Sequence, residues 1–152
     1  MLNEICPSFQ LPMTGGKTFD PDALKGQAFV LYFYPKDSTP GCTVEGSDFR
    51  AHSAAFAAAD TLVFGISRDS IKSHENFKAK MDFPFDLVSD PEETACAAFG
   101  VMKLKNMYGK QVRGVERSTF LIDKEGKIAQ EWRGVKVPGH VEAVLSAVQQ
   151  LK

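Results

Sequence analysis

An uninterrupted apolar run at residues 28–34, Ala-Phe-Val-Leu-Tyr-Phe-Tyr, most constrains what this 152-residue chain can fold into. A run of this length, rich in aromatic residues, predicts a strand buried on both faces and is far too short to span a bilayer. Pro35 ends the run, and Pro40 then opens a segment with the pattern of a helix. A buried strand that leads into a helix is typical of α/β folds.

The rest of the chain alternates in the same way after an N-terminal extended piece. The predicted elements, in order, are a turn at 15–16, strand 28–34, helix 40 to about 56, strand 61–67, helix 70–81, a short strand near 86–89, a short helix around Cys96, a loop at 103–116, strand 117–123, a turn at 124–126, strand 127–134 and a helix from 138 to the end. This order predicts one domain over residues 1–152, of class α/β, with a central mixed sheet flanked by helices. It resembles a thioredoxin-like fold.

The segment 35–43, Pro-Lys-Asp-Ser-Thr-Pro-Gly-Cys-Thr, places Cys42 in the first turn of the predicted helix. There the positive end of the helix dipole and unpaired backbone N–H groups favour the thiolate, which is the nucleophilic form. Gly41 leaves bare backbone through which a small substrate can reach the sulfur. Glu45, one turn further along, is able to hold a cation near the site. Because these polar, Gly/Pro-rich surroundings are poor core material, a purely structural Cys42 is disfavoured.

Pro35, Thr39 and Cys42 match Pro-x-x-x-Thr-x-x-Cys, the active-site signature of the peroxiredoxins, and the chain resembles that family. The longer string 33–43 resembles the subgroup named for bacterioferritin comigratory protein, also called peroxiredoxin Q. Three further segments resemble the same subgroup in the same order: residues 87–91, 98–101 and 117–123. The resemblance implies a thioredoxin-like fold and a peroxidase that acts without metal, haem, flavin or another cofactor.

The resemblance also implies a role for each matching residue. Cys42 would attack a hydroperoxide and become a sulfenic acid. Thr39 would hydrogen-bond the thiolate and the incoming peroxide, and Pro35 would shield the sulfur from solvent. Arg117 would stabilise the thiolate and the leaving oxygen, with Glu45 as the group that orients it. By its position alone Arg117 is typical of a solvated strand end, so its catalytic role rests on the resemblance.

The cysteines depart from the subgroup's pattern. Many members carry a second cysteine five positions after the first, where this chain has Ser47, and others carry it in a stretch that corresponds to residues 76–80, which contains none. Cys96 shares a helical face with a phenylalanine, which favours a small core residue. Cys6 lies near a terminus predicted to be mobile and accessible. We therefore predict a one-cysteine cycle, with a two-cysteine cycle through Cys96 or Cys6 as the alternative.

Composition limits the partners. A net charge of −1 gives no reason to propose nucleic acid or membrane. Three cysteines are too few and too odd for a secreted disulfide framework, and the N-terminus lacks a signal peptide, so we expect a cytoplasmic protein. The resemblance implies a hydroperoxide substrate and thioredoxin as reductant, with glutaredoxin or glutathione as alternatives. We expect the protein itself to be a monomer or weak dimer.

His52, His74 and His140 lack metal-ligand spacing and are predicted on helix surfaces.

The residues argue against two other classes of protein. A thioredoxin-like disulfide oxidoreductase would need a second cysteine two residues away, and the residues between Cys42 and Glu45 are Thr and Val. A non-catalytic thioredoxin-fold module for redox binding or chaperone work would be expected to have lost Thr39, Cys42 or Arg117, and all three are present. Peroxide consumption with dithiothreitol distinguishes these classes.

Overall fold

A computed structural model describes residues 1–151, apart from the side chain of Met107. The strands are β1 Leu11–Met13, β2 Lys17–Phe19, β3 Ala28–Phe33, β4 Thr61–Ser67, β5 Asp86–Ser89, β6 Met102–Met107, β7 Lys110–Val115, β8 Ser118–Ile122 and β9 Ile128–Trp132. The helices are α1 Pro40–Ala51, α2 Ser53–Ala58, α3 Ile71–Met81, α4 Thr94–Ala98 and α5 His140–Gln149, and a 3₁₀ helix spans Pro21–Leu24. Among these residues, no helix combines the length and apolarity that crossing a membrane requires.

Seven strands form one mixed sheet in the order β2-β1-β5-β4-β3-β8-β9. Strands β3, β4 and β5 run parallel, whereas β8 is antiparallel to β3, and β9 is antiparallel to β8. All six residues of β3 are buried, because the strand lies near the middle of the sheet with side chains packed on both faces. The predicted mixed sheet flanked by helices is confirmed.

The sheet separates two hydrophobic clusters. Alternate residues of β3 point to opposite faces, so Phe29, Leu31 and Phe33 enter one cluster while Val30 and Tyr32 enter the other. Helices α1, α2, α3 and α5 cover the second cluster, to which they contribute Phe49, Phe56, Phe77, Val141, Val144 and Val148. Helix α4 and the N-terminal segment cover the first. Cys42 lies in the second cluster, whereas Cys6 and Cys96 lie in the first.

The topology brings distant parts of the chain to one edge of the sheet. Strands β3 and β4 are parallel, so the loops that follow them lie at the same edge. Strand β8 runs in the opposite direction, and its first residue, Ser118, pairs with Phe33, the last residue of β3. Arg117 therefore lies beside the loop that leads from β3 into α1.

Two predicted segments were wrong in part. The predicted loop 103–116 is mostly an antiparallel hairpin of β6 and β7, with Tyr108 at φ 53° and Gly109 at φ 77° in its turn. The prediction failed because nearly every side chain of this hairpin is at least partly exposed, so it lacks the apolar face by which a strand is recognised. The predicted helix 40–56 is interrupted at His52, where α1 ends and α2 begins.

Three burial predictions were also wrong. Cys6 is only 5% exposed, because its backbone N–H donates to Gly126 O at 2.8 Å and fixes the terminus against the sheet. His74 and His140 were expected on helix surfaces, yet they are 0% and 6% exposed. Each finds hydrogen-bond partners in the interior, which offset the cost of burying a polar ring.

Candidate active site

Helix α1 presents Cys42 in its first turn, as the sequence predicts. Thr39 is the N-cap residue, with extended backbone at φ −82° and ψ 154°, and Pro40 occupies the first turn, where an N–H would lack an acceptor. The first i to i−4 bond runs from Thr43 N–H to Thr39 O at 2.9 Å. The backbone N–H groups of Gly41 and Cys42 precede that bond, so they contribute to the positive helix terminus. The Cys42 side chain is nearly enclosed, with the residue 2% exposed.

Arg117 joins Cys42 to Glu45. Its Nη2 donates to Cys42 Sγ at 3.4 Å, and its Nη1 donates to Glu45 Oε1 at 2.6 Å. A Cβ added to Gly41 would lie 3.1 Å from Nη2, so the bare backbone of Gly41 admits the guanidinium as well as a substrate. Three of the five predicted site residues are thus in direct contact, although Arg117 is separated by 75 positions from Cys42.

The Glu45 carboxyl is entirely enclosed, at 0% exposure. Burial raises its pKa to about 7, even though the charge and hydrogen bond of Arg117 act in the opposite direction. Its second oxygen, Oε2, has no hydrogen-bond partner among the described residues. Burial alone would lower the pKa of Arg117, but the negative charges of Glu45 and Cys42 raise it above its usual value. The guanidinium therefore stays charged while the carboxyl titrates near neutral pH.

Thr39 and Pro35 lie in the loop between β3 and α1. The Thr39 hydroxyl donates to Lys36 O at 2.8 Å, so its hydrogen is held by the loop and its oxygen is left as an acceptor. The resemblance implied a Thr39 hydroxyl that bonds the thiolate; here it closes the turn of its own loop instead. Pro35 is half-buried at the start of this loop.

Sequence reasoning missed two residues close to the site. His140 Nε2 is hydrogen-bonded to Thr119 Oγ1 at 2.7 Å, and burial together with the charge of Arg117 lowers the pKa of His140 to about 4, so the ring is neutral. Burial, followed by the charges of Glu45 and Cys42, raises the pKa of Tyr32. The alternation of β3 signalled that Tyr32 faces the Cys42 side of the sheet, but no local pattern indicated His140.

The other two cysteines have different surroundings. Burial, followed by the charge of Asp22, raises the pKa of Cys6 to about 12. Burial and the nearby Asp90 raise the pKa of Cys96 well above its usual value. Both thiols are free, buried and in the cluster on the opposite face of the sheet from Cys42. The prediction of Cys96 as a core residue is confirmed.

One group of side chains in the described part of the chain could offer three metal ligands. Ligand atoms of Asp37, Asp69 and His74 lie within 4.8 Å of one another. The closest pair of these groups is already hydrogen-bonded, His74 Nδ1 to Asp37 Oδ2 at 2.7 Å, and the Asp37 backbone N–H donates to Asp69 Oδ2 at 2.9 Å. The group therefore forms a hydrogen-bond network.

Comparison with known proteins gives consistent matches over nearly the whole chain. Residues 2–131 match the AhpC/TSA family. Peroxiredoxin Bcp of Xanthomonas campestris pv. campestris is 56% identical over 144 residues, which cover 93% of this chain and 90% of that protein. Peroxiredoxin Bcp of Bacillus subtilis is 45% identical over 150 residues, covering 99% of this chain and 96% of that protein.

The solved structures that this chain resembles belong to the same subgroup as these relatives. A structure of Xanthomonas campestris peroxiredoxin Q superposes with a TM-score of 0.89 at 55% identity and covers 93% of this chain and 89% of that one. A second structure, of the bacterioferritin comigratory protein of the same organism, concerns its alkyl peroxide reduction activity and has the same TM-score of 0.89. The thioredoxin-like α/β fold expected from the sequence is confirmed.

Proposed function

Because the chain belongs to the AhpC/TSA family, in the subgroup of peroxiredoxin Bcp and peroxiredoxin Q, we propose that it is a thiol peroxidase with Cys42 as its nucleophile. The observation that carries the proposal is the 3.4 Å contact between Arg117 Nη2 and Cys42 Sγ at the start of α1. The guanidinium and the helix N-terminus together place positive charge beside the same sulfur. The family that the sequence suggested as a resemblance is the family to which the matches assign the chain.

The chemistry follows from the charges at the site. The Cys42 thiolate attacks one peroxide oxygen, an S–O bond forms, the O–O bond breaks, and the other oxygen leaves as water or an alcohol after taking up a proton. Negative charge develops on that leaving oxygen, and the Arg117 guanidinium stabilises it. Glu45 acts through Arg117, since the 2.6 Å bond fixes the guanidinium against the sulfur. Cys42 is left as a sulfenic acid.

We propose a one-cysteine cycle for the return to the thiolate. An external thiol attacks the sulfenic acid, water leaves, and a second thiol reduces the mixed disulfide. Two observations support an external thiol: Cys6 and Cys96 are 5% and 0% exposed, and the sheet lies between them and Cys42. A disulfide needs Cα atoms within about 7 Å, so either residue would reach Cys42 only if the fold opened.

The substrate and reductant are proposed by analogy. The alkyl peroxide reduction activity named for the Xanthomonas campestris protein suggests small alkyl hydroperoxides besides hydrogen peroxide. Thioredoxin is the proposed reductant, with glutaredoxin or glutathione as alternatives. Such thiols are kept reduced in the cytoplasm, which is the compartment that we propose.

Peroxidase assays on three matched serine variants test the proposal. With dithiothreitol as reductant, Cys42→Ser should lose all consumption of hydrogen peroxide and cumene hydroperoxide, whereas Cys6→Ser and Cys96→Ser should retain most of it. Intact-mass analysis after one equivalent of peroxide should find one added oxygen on Cys42. Near-parental activity of Cys42→Ser would refute the assignment of the nucleophile. A stoichiometric disulfide from Cys42 to Cys6 or Cys96 would instead replace the one-cysteine cycle with a two-cysteine cycle.

A further inference from the structure

The loop between β3 and α1 carries Pro35 and Thr39 and leads directly to Cys42. Within it, Ser38 adopts φ 63°, a left-handed conformation that is unfavourable for a residue with a side chain. Such a conformation persists only where the surroundings hold it. Asp37, the residue before Ser38, is turned inward and is 6% exposed, so it is the place where the fold can hold this loop.

The Asp37 carboxyl group is hydrogen-bonded to three side chains. Tyr34 Oη donates to Oδ1 at 2.6 Å, Ser73 Oγ donates to Oδ2 at 2.8 Å, and His74 Nδ1 lies 2.7 Å from Oδ2. The backbone N–H of the same residue donates to Asp69 Oδ2 at 2.9 Å. Asp37 is therefore attached to Tyr34 directly after β3, to α3 and to the segment that joins β4 to α3.

Both ring nitrogens of His74 face acceptors. Nε2 lies 2.8 Å from Val88 O, and a carbonyl oxygen can only accept, so Nε2 carries a hydrogen. Nδ1 lies against the Asp37 carboxyl group, whose two oxygens already accept hydrogen bonds from the hydroxyls of Tyr34 and Ser73. A hydrogen on Nδ1 would give this nitrogen an acceptor as well. With side chains 0% and 3% exposed, His74 and Asp37 face each other inside the protein.

We propose that Asp37 and His74 form a buried carboxylate–imidazolium pair that positions the loop of residues 35–39 for the reaction at Cys42. This inference rests on the proposed peroxidase function. Both are positioning residues: they act through the loop, since α3 and β5 hold His74 and His74 holds Asp37. Loss of the pair frees the strained turn at Ser38, and Pro35 and Thr39 then lose their fixed places in the loop that leads to Cys42.

Nitrogen NMR of the full-length chain tests the charged pair directly. At pH 7 the parent should show both ring nitrogens of His74 protonated. Asp37→Asn keeps the shape of the side chain but removes its charge, and it should convert His74 to a neutral ring with one protonated nitrogen. A neutral His74 in the parent would overturn the ion pair. This result does not depend on peroxidase activity, so it separates the inference from the proposed function.

Kinetics then test the positioning role. Asp37→Asn and His74→Gln should each lower kcat/KM for hydrogen peroxide about tenfold, and the double variant should fall no further than either, because both changes remove one interaction. His52→Gln is the matched control and should match the parent. Folded variants with parental kcat/KM would mean that the pair serves stability alone, which would overturn the inference. A parent without activity would refute the proposed function instead.

Two milder variants keep the test valid should His74→Gln not fold. Tyr34→Phe and Ser73→Ala each remove one donor from the Asp37 carboxylate without leaving a new buried charge. Each should lower kcat/KM for peroxide several-fold while circular dichroism stays parental. Full activity in both would count against the positioning role of Asp37.

Discussion

Removal of the Arg117 side chain should separate catalysis from stability. Arg117→Ala deletes the 3.4 Å contact with Cys42 and the 2.6 Å bond to Glu45 in one step. Loss of one charge-stabilising donor should slow the reaction with peroxide about a hundredfold, or about 2.7 kcal/mol of transition-state free energy. Arg117→Lys keeps the charge but lacks the forked guanidinium that reaches both Cys42 and Glu45. Its rate with peroxide should therefore lie between those of the parent and Arg117→Ala.

The cost in folding stability should depend on pH. A buried carboxylate left without its cation typically costs about 3–5 kcal/mol. Glu45, however, has a pKa of about 7 even beside Arg117. Near and below pH 7 its carboxyl can take up a proton, so Arg117→Ala should lose only about 1 kcal/mol, the worth of a hydrogen bond. Above pH 7 the variant pays for ionising the unpaired carboxyl, and the loss should grow by about 1.4 kcal/mol per pH unit.

Denaturant unfolding at pH 6 and pH 8.5, beside peroxide kinetics at the same pH values, measures both effects. The double variant Arg117→Ala with Glu45→Gln is the control: it has no carboxyl to ionise at this position, so its loss of stability relative to Glu45→Gln should not vary with pH. A loss of stability for Arg117→Ala that is the same at both pH values would refute the role given to Glu45. Parental peroxide kinetics would refute the role given to Arg117.

Three further outcomes follow from the site. Glu45 has a raised pKa in the folded state, so the stability of the parent should fall as pH rises from about 4.5 to about 7, and thermal unfolding of Glu45→Gln should lack this decline. His140 has a lowered pKa, so stability should fall as pH drops from about 6.5 to about 4, and His140→Asn should lack that loss in acid melts. In Gly41→Ala the new methyl would lie 3.1 Å from Arg117 Nη2, so kcat/KM for peroxide should fall several-fold. The melting temperature should stay the same or rise, because alanine has the higher helix propensity. An unchanged kcat/KM would show that Arg117 tolerates displacement.

Sequence alone identified the central features of this protein because they are local. The apolar run at 28–34 and the Pro/Gly-rich segment after it specify a buried strand, a loop and a helix start within 16 residues, counted from 28 to 43. Local backbone preferences are sufficient to place Cys42 in the first turn of α1. The same segment carried the family resemblance, and with it Thr39, Pro35 and the expectation for Arg117.

Only the tertiary structure decided what each side chain meets. The hairpin β6–β7 pairs locally, but its exposed strands lack the apolar face by which a strand is recognised. The fixed terminus at Cys6 depends on Gly126, a partner far away in sequence that no local pattern reveals. The burial of His74 and His140 is decided in the same way, by acceptors and donors on Asp37, Val88 and Thr119. Arg117 meets Cys42 because antiparallel β8 begins where parallel β3 ends, at the pair Phe33 and Ser118. Strand pairing joins residues by register across the sheet, so the charges that act on Cys42 are settled by topology.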